Sequence, residues 1–318
     1  MYAGAKGLFY ALSRSAWLKR LASTHGMTAN GFARRFIAGE TVEEAIVSAR
    51  ALQGQGLHLT LDYLGESVRS SEAASAAVQQ YLHVIEAIVA SGIERNLSIK
   101  LTQFGLTVDR ATCVDNLRRV LDVAAPQGFY VRVDMENSPW TEVTLDVLDT
   151  LWEQGYREIG AVVQAAMYRS EGDIERLNGL GMRVRLVKGA YKEPPAVAYQ
   201  QKREVDAAFV NLMRLLLEKG TMPAVATHDP DLIETARAYA LTLGLGPERF
   251  EFEMLYGIRR DLQSALVAAG YRVRIYVPFG REWFPYFMRR LGERPENVKF
   301  VVGAILHERR AHRDTPRT

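Results

Sequence analysis

The chain has one cysteine, Cys113, among its 318 residues. A single thiol excludes an internal disulfide and leaves no thiolate set for zinc or an iron–sulfur centre, so a reducing compartment fits and no metal is expected. Long apolar runs are also missing. None approaches the ~20 residues that span a bilayer, and the N-terminus shows no apolar signal core followed by a cleavage pattern. The expected location is cytoplasmic. Charge of one sign is scarce too: 40 Lys and Arg are interspersed with 37 Asp and Glu, giving a net charge of +3. That is not a nucleic-acid footprint. No HExxH, GxSxG, P-loop or CxxC is present, which argues against zinc proteases, serine hydrolases, P-loop NTPases and dithiol redox proteins.

What the chain does contain is a repeated alternation. Short strand-like runs recur at Leu57–Asp62, Leu97–Thr102, Phe129–Met135, Ile159–Ala165, Met182–Lys188, Met222–His228, Phe250–Met254 and Tyr271–Val277. Helix-length stretches separate them, among them Ala73–Ala90, Asp109–Ala125, Glu142–Glu153 and Ala196–Lys219, and Asp229-Pro230 is a good helix start. Eight strands each followed by a helix predict an α/β fold, a (βα)8 TIM barrel. A doubly wound sheet is the alternative, but no GxGxxG follows the first strand. Residues 57–318 form the predicted barrel and residues 1–56 a helical segment packed on it, one domain overall. Within that segment Thr41 and Glu44 read as a capping box, and Gly7–Ser23 as a basic amphipathic helix that packs on the barrel or lies on a membrane surface.

Nearly every strand sets polar residues against apolar ones. His58, Thr60 and Asp62 oppose Leu57, Leu59 and Leu61; Ser98, Lys100 and Thr102 oppose Leu97, Ile99 and Leu101; Tyr130, Arg132 and Asp134 oppose Phe129, Val131 and Val133. Helices cover the outside of a parallel barrel, so the polar set must point inward. The inward candidates comprise six cations (Lys100, Arg132, Arg183, Arg185, Arg272, Arg274) and four carboxylates (Asp62, Asp134, Glu251, Glu253), an excess of two positive charges. An anionic ligand, or solvent and loop carboxylates, would balance it.

Active sites of such barrels gather at the C-terminal ends of the strands. Asp62, Lys100, Asp134, Gln164, Lys188–Tyr191, Thr227, His228 and Tyr276 lie there, followed by the aromatic stretch Phe279–Arg290, which ends in the pair Arg289 and Arg290. An arginine pair on a buried helix is a good carboxylate clamp. Two other chemistries stay open on these residues alone: a Schiff-base lyase using Lys100 or Lys188, and a barrel that binds a carboxylate without turnover.

The stretches LDYLGE (Leu61–Glu66), IKLTQFGL (Ile99–Leu106), RVDMEN (Arg132–Asn137), VRLVKGAY (Val184–Tyr191), ATHD (Ala226–Asp229), FEMLYG (Phe252–Gly257) and the YFMRR ending at Arg290 resemble the proline dehydrogenase family in its short monofunctional form. They follow family order through almost the whole chain. The resemblance implies a distorted barrel holding FAD, with a final helix capping the active site. It implies oxidation of L-proline to Δ1-pyrroline-5-carboxylate, the first step of proline catabolism, and electron transfer to a membrane quinone. It further implies peripheral contact with the inner face of the membrane and functional coupling to a pyrroline-5-carboxylate dehydrogenase. By the same resemblance, Lys100, Arg289 and Arg290 would bind the proline carboxylate, and Tyr276 and Leu255 would wall its ring. Asp134 would orient the cationic cluster, Arg185 would lie by the flavin's reactive nitrogen, and Tyr191 would be near the site. Met135, Gln164, Arg185, Lys188, Gly189, Ala190, Thr227 and His228 would contact FAD. Two positions depart from the commoner pattern: Tyr63, where a second Leu is frequent, and Asn137, where an acidic residue is common.

Overall fold

The structure, a computed structural model, describes Met27 and residues 32–293. The helix expected at Gly7–Ser23 lies outside the described residues, as does the C-terminal tail. Eight parallel strands close into a barrel in sequence order, with β8 pairing β1. They are β1 His58–Tyr63, β2 Asn96–Ile99, β3 Tyr130–Val133, β4 Ile159–Gln164, β5 Val184–Val187, β6 Ala224–Ala226, β7 Glu251–Leu255 and β8 Arg272–Phe279. The α-helices are α1 Val42–Gln53, α2 Ser71–Ser91, α3 Arg110–Ala124, α4 Thr141–Glu153, α5 Ser170–Leu180, α6 Lys202–Lys219, α7 Pro230–Thr242, α8 Arg260–Ala268 and α9 Trp283–Glu293. Each of the eight predicted strands is present, shifted or trimmed by a few residues.

Local chemistry sets the helix starts. Ser70 and Asp109 accept backbone N–H bonds from Ala73 and Thr112, and Asp229 caps α7 ahead of Pro230. Thr41 caps α1 as expected, but Glu44 does not complete the capping box: its carboxylate accepts the Glu40 N–H at 2.7 Å and pairs with Arg34. The apolar strand faces pack outward against the helices; Leu59, Leu61, Leu97, Ile99, Val131 and Val133 are fully buried. A second, smaller core is separate from this one. It joins Ala33, Phe36 and Ile37, ahead of α1, to Leu64, Ile258 and five side chains of α9.

The lumen is charged, as the alternation predicts, but the two-cation excess is absent. Arg183 is exposed and stacks over the Tyr130 ring, and Arg272 is only half-buried, because both stand at the N-terminal end of their strands. Lys100, Arg132, Arg185 and Arg274 are the buried cations, matched by Asp62, Asp134, Glu251 and Glu253, with Glu94 added from the turn before β2. Arg274 grips Glu251 with two bonds of 3.0 Å and reaches Glu94 at 2.9 Å. Strand alternation fixes which face a side chain takes, whereas its depth along the barrel axis decides whether it is buried.

Candidate active site

The C-terminal ends of β1, β2, β3, β5 and β8 converge on one hydrogen-bonded cluster. Lys100, the residue after β2, donates to Asp62 at 3.0 Å, to Asp134 at 3.1 Å and to the Tyr276 hydroxyl at 3.2 Å. Tyr276 in turn donates to Asp134 at 2.7 Å, and Arg185 donates to the other Asp134 oxygen at 2.9 Å and to Ser98 at 3.1 Å. Asp134 therefore receives two cations and a phenol. Burial pushes its carboxyl up, but Lys100 and Arg185 outweigh that and hold it below the ordinary value. At Asp62 burial prevails over Lys100, the neighbouring Asp134 charge adds to it, and the carboxyl is raised. Burial pulls Lys100 down, yet Asp62, Tyr276 and Asp134 together raise it well above a free lysine, so it stays charged. Such a cluster is tolerable only because each charge has partners.

A helix lies over this cluster. The first residues of α9 are buried in the second core, and its last described turn brings Arg289 to Glu66, at 2.9 Å. The Arg290 guanidinium stacks over the ring of Tyr286, one turn earlier. A cavity of about 390 Å³ runs between α9, α2 and the loop after β1. Tyr63, Leu64 and Ala77 line its apolar side, and Glu66, Lys100 and Arg289 its polar side. That volume is in the small-molecule range. Leu255 and Tyr276, the expected ring walls, rest against the same small core as α9. Tyr191 feels the charges of Arg289, Glu66 and Glu136, and burial raises its phenol.

The residues expected to meet a cofactor form an arc from the end of β3 to the loop after β6. Gln164 ends β4 and donates to the Glu136 carbonyl at 2.9 Å. Lys188, after β5, is held between Asp206 at 2.6 Å and Asp229 at 3.0 Å. Thr227 accepts the Asp229 N–H, and His228 Nε2 accepts the Leu255 N–H at 2.8 Å, which leaves the proton of a neutral ring on Nδ1. His228 thereby ties the arc to the wall residue Leu255. Met135 is buried in the main core behind the arc. Gly189 has φ +112, and a Cβ there would stand 3.3 Å from both Gln164 Oε1 and Ala166, so bare backbone at Gly189–Ala190 faces the Gln164 side chain.

A family model described as proline dehydrogenase matches residues 45–302. The chain belongs to the proline dehydrogenase family. Proline dehydrogenase 1 of Bacillus subtilis (strain 168) is 40% identical over 299 residues, which cover 94% of this chain and 98% of that one. The proline dehydrogenase of Deinococcus radiodurans is 42% identical over 278 residues, 86% of this chain and 90% of its own length. Among solved structures, proline utilization A from Bdellovibrio bacteriovorus, inactivated by N-propargylglycine, superposes with a TM-score of 0.77 at 27% identity. The match covers 82% of this chain and 32% of that longer one.

As a proline dehydrogenase, the chain is an enzyme of proline oxidation. Two carboxylates beside the cluster are not among the site residues that the sequence suggests. Glu66 belongs to the LDYLGE stretch but falls after β1, beyond the strand alternation; its pairing with Arg289 across 223 positions carries no local signal. Glu136 is buried, accepts from Thr102 through both N–H and hydroxyl, and is raised by that burial. It is in phase with Tyr130, Arg132 and Asp134, but it falls one residue past the predicted strand end at Met135.

Proposed function

We propose that this enzyme oxidises L-proline to Δ1-pyrroline-5-carboxylate with FAD as the immediate electron acceptor and a quinone as the final one. The observation that carries the reading is the placement of Arg289 and Arg290 on a helix over the buried Lys100–Asp134–Arg185–Tyr276 cluster, beside the arc from Gln164 to His228. A carboxylate in the cavity would displace Glu66 from Arg289 and gain a desolvated cation in its place. Leu255 and Tyr276 would then confine the ring on one side.

The arc suits a flavin dinucleotide. Gly189 and Ala190 offer close backbone approach, and Lys188, Thr227 and His228 stand at the N-terminus of α7, where phosphate oxygens are favoured. Met135 and Gln164 back the arc from β3 and β4. Bound FAD would supply the two-electron acceptor for the Cδ–H bond that breaks while the proline nitrogen lone pair forms the C=N bond. The protein's part is positional and electrostatic. Arg185, fixed by Asp134, Ser98 and Glu253, holds a cation where negative charge would accumulate on the acceptor. Asp134 keeps Arg185, Lys100 and Tyr276 in one geometry, and the cavity's apolar wall excludes water from the reacting carbon. None of these steps needs a nucleophilic side chain, and Lys100, charged and triply bonded, is unsuited to Schiff-base chemistry.

The quinone, peripheral contact with the membrane and coupling to a pyrroline-5-carboxylate dehydrogenase rest on the family resemblance. A relative matched over 84% of this chain carries the name bifunctional protein PutA, in Escherichia coli (strain K12). Among the described residues, no helix is long and apolar enough to cross a membrane. The test is the visible absorbance of the purified protein before and after anaerobic L-proline. A flavin spectrum that bleaches with proline supports the reading. A colourless protein that FAD cannot reconstitute would overturn it.

A further inference from the structure

β8 ends at Phe279, and the clamp helix α9 begins at Trp283 after the link 280–282. On the barrel side its apolar residues meet Leu64, Leu255 and Tyr276. Also against α9 lies the segment ahead of α1, the strap formed by residues 33–40. The Ala38 N–H donates to the Pro278 carbonyl at 2.8 Å, and the Gly280 N–H to the Gly39 carbonyl at 2.9 Å, so the strap is bonded to the chain where it enters the turn that launches the helix. The Trp283 indole N–H donates to Glu40 at 3.1 Å, and the Phe36 and Phe287 rings meet at 6.0 Å. Ala33, Phe36 and Ile37 are almost wholly excluded from water among the side chains of α9.

The same strap touches the ring wall. Gly257, two residues after Leu255, has φ +74, and a Cβ on it would stand 1.7 Å from the Arg35 carbonyl oxygen. Only glycine lets the loop after β7 lie that close. Leu255 and Tyr276 pack on the small core that the strap completes. The strap is itself latched, since Glu44 accepts the Glu40 N–H and pairs with Arg34, whose Nε donates to the Met27 carbonyl. One segment therefore braces the helix that carries the clamp, the turn that launches it and the loop that carries the wall, while the cofactor arc stands on other strands.

We propose that Glu40 and Phe36 are positioning residues for the substrate: through Trp283 and Phe287 they set the register of α9 over the cavity, and so the reach of the arginine clamp. The inference rests on the clamp reading given above. Because displacement of a positioned group by about an ångström can cost on the order of a hundredfold in rate, a support outside the site is felt inside it. Its signature is a split: substrate affinity moves and cofactor content does not.

The experiment compares the full-length holoenzyme with Glu40→Ala, Glu40→Gln, Trp283→Phe, the double variant Glu40→Ala/Trp283→Phe, and the milder Phe36→Leu. The readouts are KM and kcat for L-proline, binding of the non-oxidisable probe cyclopentanecarboxylate, and flavin content per chain. Glu40→Ala and Trp283→Phe are each expected to raise KM and the probe's Kd about tenfold, the loss of one charge-assisted hydrogen bond. The double variant should do no worse than either single change, since both remove one interaction. Glu40→Gln, which keeps an acceptor for the indole, should restore most of the affinity, and Phe36→Leu should show a smaller shift in the same direction. Unchanged probe affinity in folded Glu40→Ala overturns the proposal. So does a flavin loss that matches the affinity loss, because the effect is then general loosening. If the wild type binds the probe but does not turn over proline, the functional reading fails while the probe arm still decides the role of the strap. If the wild type binds no carboxylate, both fall together.

Discussion

Lys100→Met is the most informative single change, because the structure fixes what it leaves behind. The ammonium makes three hydrogen bonds, to Asp62, Asp134 and Tyr276, and two of those partners are carboxylates. Asp134 would keep Arg185 and the Tyr276 hydroxyl. Asp62 would keep neither a cation nor, at its fully buried Oδ2, any hydrogen bond. Breaking a buried pair by removing one partner costs about 3–5 kcal/mol, whereas removing both partners together is close to neutral. Lys100→Met should therefore lose about 3–5 kcal/mol of stability, and Lys100→Met/Asp62→Asn should recover about 2 kcal/mol or more of it. Urea unfolding of the flavin-loaded protein measures both. A pH series adds a check of sign. Burial and Asp134 already raise the Asp62 carboxyl against Lys100, and without the lysine only the Tyr276 hydroxyl opposes them. A carboxyl raised by folding penalises the folded state above that raised value and stops doing so when protonated, so the deficit of the single variant should shrink as pH falls. A double variant as unstable as the single one would refute the reasoning, because the cost would then lie in lost packing and not in a stranded carboxylate.

Arg289→Ala should weaken proline binding by about 2–5 kcal/mol, read as a rise in KM, since a desolvated cation leaves its carboxylate partner unpaired; an unchanged KM would remove Arg289 from the clamp. Asp134→Ala should lower turnover more than tenfold, by analogy with the loss of a preorganised charge, while the protein stays yellow; colourless protein would make Asp134 a cofactor residue instead. Glu251 is subject to burial, which raises it, but Arg274 holds it down at about 2, against an ordinary 4.5. The stability from this pair is full above about 4.5 and is lost as pH falls towards about 2, so urea midpoints should fall across that window, and fall less steeply in Glu251→Gln.

The barrel was legible because short strand-like runs recur eight times between helix-length stretches, and no tertiary information is needed to read them. Asp62, Lys100, Asp134 and Tyr276 were legible as polar residues towards the C-terminal ends of strands or just beyond, and Arg185 as an inward cation of its alternating strand. Three things were not. Arg183 and Arg272 have the same facing as Arg185 and Arg274 but stand nearer the N-terminal mouth, and strand tilt, which sets that depth, leaves no mark in one strand's sequence. Glu66 meets Arg289 only because the chain closes on itself, β8 against β1, before α9 begins. The strap of residues 33–40 is apolar and irregular, so its sequence suggested no partner, and its role emerges only from what it touches in three dimensions.

The lumen is divided along the barrel axis, and the division explains why so much charge is buried where such barrels usually place branched aliphatics. Towards the N-terminal end, Arg274 with Glu251 and Glu94 forms a closed set, with two bonds to one carboxylate and a third to the other. Towards the C-terminal end, Lys100, Asp134, Arg185 and Tyr276 form a second set, of which Lys100 lines the cavity. Glu253 joins them, touching Arg185 directly and lying 3.9 Å from Arg132 and 4.0 Å from Arg274. A buried ionic core of this kind is a poor route to stability, since apolar side chains of equal volume would serve as well. Its use is rigidity of placement: Arg185 is held from below by Glu253, from the side by Ser98 and from above by Asp134, so its guanidinium cannot swing when charge changes beside it. A barrel that must hold a fixed cation towards the C-terminal end of its lumen needs carboxylates beneath that cation, and those carboxylates need further cations. The polar alternation in the sequence is the trace of that requirement passed from layer to layer.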